Sequence, residues 1–216
     1  KEPWLNPKGF EQIVYDVLAN TQDMNIIEKP EPEDTPFYIN NGTINVGNTN
    51  GKVILQTFSL ESLVRVAEVF QGKVPMCFLL WKGTGATDIT YDDPLGYASF
   101  INLGVKYKAH FIGPCIAGAP NNYPELNQPW QDYLIHKAGM KNHPYTFDTY
   151  DQMAKYFGQY NFGVEIDGKY KAPYLDALFT NHSDMSINYM ITQGWRKSPA
   201  SETLVDAKVV LERLGY

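Results

Sequence analysis

The sequence alternates between strand-like and helix-like runs, and this alternation restricts the fold more than any other feature. After an amphipathic helix predicted over roughly 7–21, a strand-like run followed by a helix-like stretch recurs five times. Alternation at this spacing predicts an α/β fold with a parallel sheet and right-handed crossovers. Five such units fill part of an eight-stranded barrel or most of an open sheet. The predicted strands are 52–59, 74–81, 107–116, 141–147 and 174–180.

Two stretches fall outside this alternation. Residues 28–50 begin with an acidic, proline-rich run that cannot form a helix interior, and they are predicted to be a surface insertion. A charged amphipathic helix is predicted over 201–214, after the last strand and helix of the alternating part. The sequence therefore predicts one α/β region over 1–195 and a helical extension over 196–216.

Charge and composition exclude several classes of partner. The net charge is −6, from 18 Lys and Arg against 24 Asp and Glu, and no basic stripe occurs, so nucleic acid is not expected as a partner. No apolar run reaches the roughly 18 residues of a membrane-spanning helix. Aromatic residues make up 14% of the chain, a share that is common in secreted proteins, and a periplasmic or secreted location is expected.

The two cysteines, Cys77 and Cys115, each lie in an apolar run. Their surroundings predict two buried free thiols, with a disulfide as the open alternative, because sequence does not fix the geometry that a disulfide requires.

Two short phrases indicate where a site would lie. Gln56-Thr57-Phe58 and His143-Pro144-Tyr145-Thr146 each stand at the C-terminal end of a predicted strand and directly before a helix. In parallel α/β folds, ligands meet the carboxyl ends of the strands, because the strand-to-helix loops converge there. Polar and aromatic residues at two such ends therefore predict a binding site at that edge of the sheet.

Three phrases in fixed order resemble a known family. They are QTFSLESL from Gln56, KAGMKNHPYTFD from Lys137 and DALFTNHSDM from Asp176. Together they are similar to the C-terminal portion of the glycerophosphodiester phosphodiesterases, whose strands carry Q-S-F-x-x-x-x-L, A-G-x-x-V-x-x-W/Y-T-V-N and D-G-I-x-T-D-x-P. Asn181 and Ser183-Asp184 depart from the last pattern. The matching positions are Gln56, Phe58, Leu63, Ala138, Gly139, His143, Pro144, Tyr145, Thr146, Asp176, Phe179 and Thr180.

The resemblance implies a TIM (β/α)8-type barrel, of which residues 1–195 would form the C-terminal part, with the N-terminal strands absent from this chain. It also implies metal-dependent hydrolysis of glycerophosphodiesters to an alcohol and glycerol 3-phosphate, in lipid and glycerol metabolism. Two histidines would act as general acid and base, and a divalent cation, Ca²⁺ or Mg²⁺, would bind the phosphate. The partner implied is thus a small-molecule glycerophosphodiester.

The same resemblance assigns site residues. The opening Lys1-Glu2-Pro3-Trp4 resembles the end of an E-x-K-x-P strand, which places Lys1 in the position of a catalytic lysine. Gln56, Phe58 and Tyr145 fall on substrate-binding positions. No metal ligand is expected within the chain, because the cation's carboxylates and both catalytic histidines of the family lie upstream of the position of Lys1. The chain is therefore expected to be inactive alone.

Other polar residues are given structural roles. His143 shares a strand face with Tyr145 by the two-residue period, but the resemblance places the catalytic histidines elsewhere. His136 lies on a predicted helix and is expected to be solvated. Asp88, Asp92 and Asp93 are irregularly spaced and are predicted to be exposed turn carboxylates. Two other functions stay open, a non-catalytic binding or scaffold barrel and a relative of the phosphoinositide phospholipases C.

Overall fold

The computed structural model describes Leu5, 9–20, 53–81, 93–159, 175–194, 207–213 and Gly215. Lys1, the predicted insertion 28–50, Asp88 and Asp92 lie outside these residues. The helices are α1 (Phe10–Asn20), α2 (Leu60–Phe70), α3 (Pro94–Lys106), α4 (Pro129–Lys137), α5 (Tyr150–Ala154), α6 (Ser183–Thr192) and α7 (Ala207–Arg213), and a π-helical turn, Lys155–Gln159, follows α5. The strands are β1 (Leu55–Thr57), β2 (Met76–Leu80), β3 (Phe111–Pro114) and β4 (Lys141–Asn142).

The four strands form one parallel sheet in the order β1-β2-β3-β4. Leu55 pairs with Met76, Cys77 with Phe111, and Phe111 with Lys141, so each strand lies beside its successor in the chain. A helix separates each strand from the next, as a parallel sheet requires. The predicted α/β class with parallel strands is therefore confirmed.

A further extended segment, residues 176–179, continues the sheet beyond β4. The backbone N–H of Asp176 donates to the Asn142 carbonyl at 3.0 Å, and that of Phe179 donates to the Pro144 carbonyl at 2.9 Å. Phe147 N–H donates in turn to the Phe179 carbonyl at 2.8 Å. The partners advance in the same direction along both segments, so the 176–179 segment runs parallel to β4, in the position of the last predicted strand.

The sheet is buried on both faces. On one face, Phe78 stacks on Phe100 of α3, with ring centroids 4.2 Å apart. The other face carries Cys77 and Leu79, which are also buried. β2 is completely buried along its length, which explains why its sequence is continuously apolar. Both cysteines are buried free thiols, as predicted, and burial raises the pKa of Cys77.

The helices begin where their sequences predict. The Ser59 hydroxyl accepts from the Ser62 N–H at 3.4 Å and caps α2, and the Asp93 carboxylate accepts from the Gly96 N–H at 2.8 Å and caps α3. Asp93 is therefore a helix cap. Each cap fixes the point at which the chain turns from a strand end, or the loop after it, into the following helix.

The chain divides into two compact units, Lys1–Asn181 and His182–Tyr216. The first contains the sheet and α1 to α5, and the second contains α6 and α7. The boundary expected between residues 195 and 196 stays a prediction. Within the described residues, no helix is long and apolar enough to cross a bilayer.

Candidate functional site

Four aromatic rings meet at the carboxyl edge of the sheet, and we call this group the aromatic cup. It consists of Phe58 after β1, Trp81 after β2, Tyr123 in the loop after β3, and Tyr145 beyond β4. Phe58 lies 6.0 Å from Trp81 and 5.7 Å from Tyr145, measured between ring centroids. Tyr123 lies 5.9 Å from Tyr145. All three contacts are edge-to-face, an arrangement that suits the ring quadrupoles.

Tyr145 lies at the centre of the aromatic cup. Its hydroxyl donates to the Leu80 carbonyl at 2.8 Å, and its backbone N–H donates to the Pro114 carbonyl at 3.0 Å. Its side chain is thus tied to the end of β2 and its backbone to the end of β3. Only 8% of the residue is exposed, so Tyr145 can form a wall of a cavity but presents little surface to a ligand.

The predicted site residues are only partly brought together. Phe58 and Tyr145 are in ring contact. Gln56 precedes Phe58 by two residues, so the two share a face of the strand, and Gln56 is exposed at the edge of the sheet. Lys1 lies outside the described residues. The catalytic role of Lys1 and the binding roles of Gln56, Phe58 and Tyr145 therefore stay predictions.

A carboxylate joins the loops around the aromatic cup. Asp148 Oδ1 accepts from the Asn181 backbone N–H at 3.0 Å, and its Oδ2 accepts from Asn121 Nδ2 at 3.1 Å. Asn181 Nδ2 also donates to Asp148 Oδ2 at 3.1 Å. Asn121 belongs to the loop that carries Tyr123. Asp148 therefore links the loops that follow β3, β4 and the 176–179 segment.

Replacing Asp148 with alanine is expected to lower the free energy of unfolding by about 1.5 kcal/mol, the lower part of the range for hydrogen bonds to a charged group, because Asn181 is exposed. Urea denaturation measures this change. Asp151→Ala is the matched control, since Asp151 is exposed in the first turn of α5. This substitution is expected to lower the free energy of unfolding by about 0.5 kcal/mol. Equal losses in both variants would contradict the linking role of Asp148.

His143 lies beside the aromatic cup, on the sheet face that carries Tyr145. Its ring packs between Phe111 and Phe179, at centroid distances of 5.4 and 4.0 Å. Burial lowers the pKa of His143 to about 4, so the imidazole is neutral at pH 7. Among the described residues, its Nδ1 has no hydrogen-bond partner. The ring fills space between two phenylalanines, in keeping with its predicted structural role.

A second polar cluster lies where β4 begins, and it corrects the prediction for His136. His136 is not solvated, since only 9% of its side chain is exposed. Its Nε2 lies 2.7 Å from Asp176 Oδ2, and its Nδ1 lies 3.2 Å from Asp132 Oδ1. The prediction was wrong because the 176–179 segment covers the side of α4 that carries His136. The helix pattern alone does not show this tertiary neighbour.

The described residues do not supply a metal site. No group of three or more His, Cys, Asp or Glu side chains within them is arranged to hold an ion. The carboxyl edge offers aromatic rings and the hydrogen-bonded carboxylate of Asp148. These donors do not fit the divalent cation that the resemblance implies.

Three residues at this edge were missed by sequence reasoning. Trp81 directly follows β2, and its place after a strand is the same signal that marked Phe58. Asp148 also follows a strand-like run, so the rule that side chains directly after strands lie at the carboxyl edge would have identified it. Tyr123 lies inside a long loop, and nothing in its local sequence distinguishes it.

Comparison of the chain with models of protein families gives no match, and comparison with curated proteins gives none. The similarity to glycerophosphodiester phosphodiesterases therefore depends on the three phrases described above.

Proposed function

We propose that this chain is the C-terminal part of a (β/α)8 barrel that hydrolyses phosphoric diesters of the glycerophosphodiester class. The contact between Phe58 and Tyr145 is the observation that most supports this proposal. The two residues come from separate phrases, each of which resembles a substrate-binding strand end of that family. Their rings meet at the carboxyl edge, where (β/α)8 enzymes build their active sites.

The strand order supports a barrel. Every neighbour in the sheet is also the neighbour in sequence, and the order continues without reversal into the 176–179 segment. In a doubly wound sheet the order reverses at the point where the ligand binds. A barrel has no reversal, because each strand is added beside the last until the sheet closes. The sequential order over five extended segments is therefore the order that a barrel requires.

An apolar stripe on α1 also supports the proposal. Phe10, Ile13 and Val17 recur at helical spacing and are 47%, 58% and 60% exposed. α1 packs on α2 through Tyr15, whose ring lies 5.3 Å from Phe70. In a closed barrel, each helix of the outer ring has a neighbour on both sides, and the proposed upstream strands and helices would cover this stripe.

The groups proposed to act on the substrate would lie partly in this chain and partly upstream of Lys1. The aromatic cup would form an apolar wall against the glycerol portion of the substrate, and Lys1 would neutralise charge on the phosphate. Residues upstream of Lys1 would hold the divalent cation, which would supply charge neutralisation at the phosphate. The acid and base histidines would lie there too, so this chain would bind substrate but would not hydrolyse it.

Hydrolysis of glycerophosphocholine in the presence of Ca²⁺ or Mg²⁺ tests the proposal, with release of glycerol 3-phosphate as the readout. The 216-residue chain is expected to be inactive, and a chain that restores the upstream strands is expected to turn the substrate over. Equal turnover by both chains would contradict the placement of the catalytic groups. Saturable binding without turnover in the longer chain would instead indicate a binding or scaffold barrel, and cleavage of phosphoinositides alone would indicate a phospholipase C relative.

A further inference from the structure

We propose that Asp132, His136 and Asp176 form an ionic latch, held together by one proton, that fixes the 176–179 segment to α4 and β4. The latch lies at the end of the sheet opposite to the aromatic cup, and it contains none of the residues proposed to bind substrate. It would make the attachment of this segment depend on pH.

The positions of two carboxylates beside the ring favour a cation at His136. Its two ring nitrogens lie 2.7 and 3.2 Å from two different carboxylates. A neutral imidazole has one N–H and one lone pair, so one of these nitrogens would face a carboxylate oxygen without a proton between them. The imidazolium has two N–H groups and can donate towards both carboxylates. Only the protonated ring therefore suits both contacts when Asp132 and Asp176 are ionised.

Asn142 connects the two carboxylates from the sheet side. Its backbone N–H donates to Asp176 Oδ2 at 2.8 Å, and its side-chain Nδ2 donates to Asp132 Oδ1 at 2.9 Å. The same Nδ2 donates to Asn127 Oδ1 at 2.9 Å. Asp176 thus binds β4 through its carboxylate as well as through its own backbone N–H. Loss of the His136 cation would leave the buried carboxylate of Asp132 and the partly buried carboxylate of Asp176 facing each other across the ring.

The charges in this cluster balance only when His136 is protonated. Asp132 shares α4 with His136, Asp176 comes from the 176–179 segment, and Lys141 of β4 places its Nζ 3.8 Å from Asp176 Oδ1. Burial and the negative charge of Asp132 both raise the pKa of Tyr97 in α3, so the phenol stays neutral. With His136 protonated, the two carboxylates balance His136 and Lys141. Without that proton, the cluster carries one uncompensated negative charge in a buried place.

The pKa values agree with this arrangement. Burial alone would lower the pKa of His136, but hydrogen bonds and charge from Asp132 and Asp176 raise it from 6.5 to about 9. Burial raises the pKa of Asp132 as well, although His136 and Asn142 oppose that change. A raised histidine pKa stabilises the folded state fully below pH 6.5, and this stabilisation disappears as pH rises through 9.

Imidazole ¹⁵N NMR of the 216-residue chain tests the latch directly. At pH 7.5, His136 is expected to be doubly protonated, with a titration midpoint near pH 9. A neutral His136 at pH 7.5, or a midpoint at or below 6.5, would overturn the proposal. This measurement uses the unsubstituted chain and does not depend on whether any variant folds.

The pH dependence of urea denaturation provides a second test, with His136→Gln compared with His182→Gln. The unsubstituted chain and His182→Gln are expected to lose on the order of 100-fold in the folding equilibrium constant between pH 6.5 and 9, because the folded state retains one more proton than the unfolded state. His136→Gln should lack that loss. A loss of equal size in both variants would refute the latch.

Amide hydrogen exchange shows whether the effect is local. In His136→Gln, the amides of Asn142, Ala177 and Phe179 are expected to exchange at least about 10-fold faster, relative to those of β2, than in His182→Gln. These amides hold the 176–179 segment to β4. Uniform acceleration across the sheet would show a general loss of stability and would contradict a latch on this segment.

Discussion

Gly113→Ala is expected to lower the free energy of unfolding by about 3 kcal/mol, the upper part of the usual range for overpacking a core. A β-carbon at this position in β3 would lie 2.6 Å from Leu79 Cδ2, 2.9 Å from Cys77 Sγ and 3.0 Å from the His143 carbonyl oxygen. The carbonyl belongs to the backbone next to β4 and cannot rotate away. The sheet would therefore have to separate locally, in a region where every neighbour is buried.

Gly104→Ala is the matched control for this prediction, and the free energy of unfolding is expected to stay within about 1 kcal/mol of the unsubstituted chain. Gly104 is equally buried, but its β-carbon would meet Ile112 Cδ1 and Met140 Cε, both at 3.0 Å. These atoms are the far ends of flexible side chains and can move. Alanine also favours the helix, here α3, over glycine by about 1 kcal/mol, which offsets the closer packing.

A double variant identifies the contact responsible. If the Leu79 side chain causes most of the strain, Leu79→Ala is expected to cost less in the Gly113→Ala background than alone, with a coupling of at least about 1 kcal/mol. Denaturation of the two single variants and the double variant measures this coupling. Additive losses, or a Gly113→Ala loss no greater than that of Gly104→Ala, would show that β3 accommodates a β-carbon without strain.

The elements that the sequence predicted well are those whose local pattern and tertiary environment agree. The last helix of the alternating part is found at Ser183–Thr192, and the apolar run of β2 is buried along its whole length. α2 begins after Ser59 because the residue that ends the strand also caps the helix. In each case the deciding interaction lies within a few residues, so propensity and periodicity suffice to find it.

Strand lengths were predicted less well, and Pro114 of β3 gives the physical reason at β4. The predicted strand covers 141–147, whereas the ladder extends only over Lys141–Asn142, followed by an isolated bridge between Cys115 and Tyr145. The His143 N–H donates to the Ile112 carbonyl, but Pro114 has no N–H to donate to the His143 carbonyl in return, so the ladder is interrupted although the chain continues in an extended form. The Tyr145 N–H then resumes pairing with the Pro114 carbonyl.

The candidate site shows the same division between local and distant causes. The strand-end rule predicted Phe58 and Tyr145 at the carboxyl edge, because side chains there follow from strand direction alone. It did not predict the environment of His136. Asp132 is one helical turn away on α4 and is visible in sequence, but Asp176 is separated from His136 by 40 positions. No sequence period links the two, and only the packing of the 176–179 segment onto β4 brings them together.

Tyr145→Ala is expected to lower the free energy of unfolding by about 4 kcal/mol, in the range for removing a large aromatic side chain from a core. The substitution removes ring contacts with Phe58 and Tyr123 and leaves the Leu80 carbonyl without the hydroxyl that donates to it. Tyr145→Phe keeps the ring and removes only that hydrogen bond, and it is expected to cost about 1 kcal/mol. Tyr150→Ala is the control, since Tyr150 is half exposed on α5.

The same pair of variants separates a structural role of Tyr145 from a binding role. If the ring forms a wall of the substrate site and the hydroxyl serves only the Leu80 carbonyl, Tyr145→Phe should bind glycerophosphocholine as the unsubstituted chain does, within about twofold, which corresponds to about 0.4 kcal/mol. Isothermal titration at a temperature where both proteins are folded measures this affinity. A 10-fold weaker affinity in Tyr145→Phe, with little loss of stability, would show that the hydroxyl contacts the ligand. The contact with Leu80 would then have to open when substrate binds.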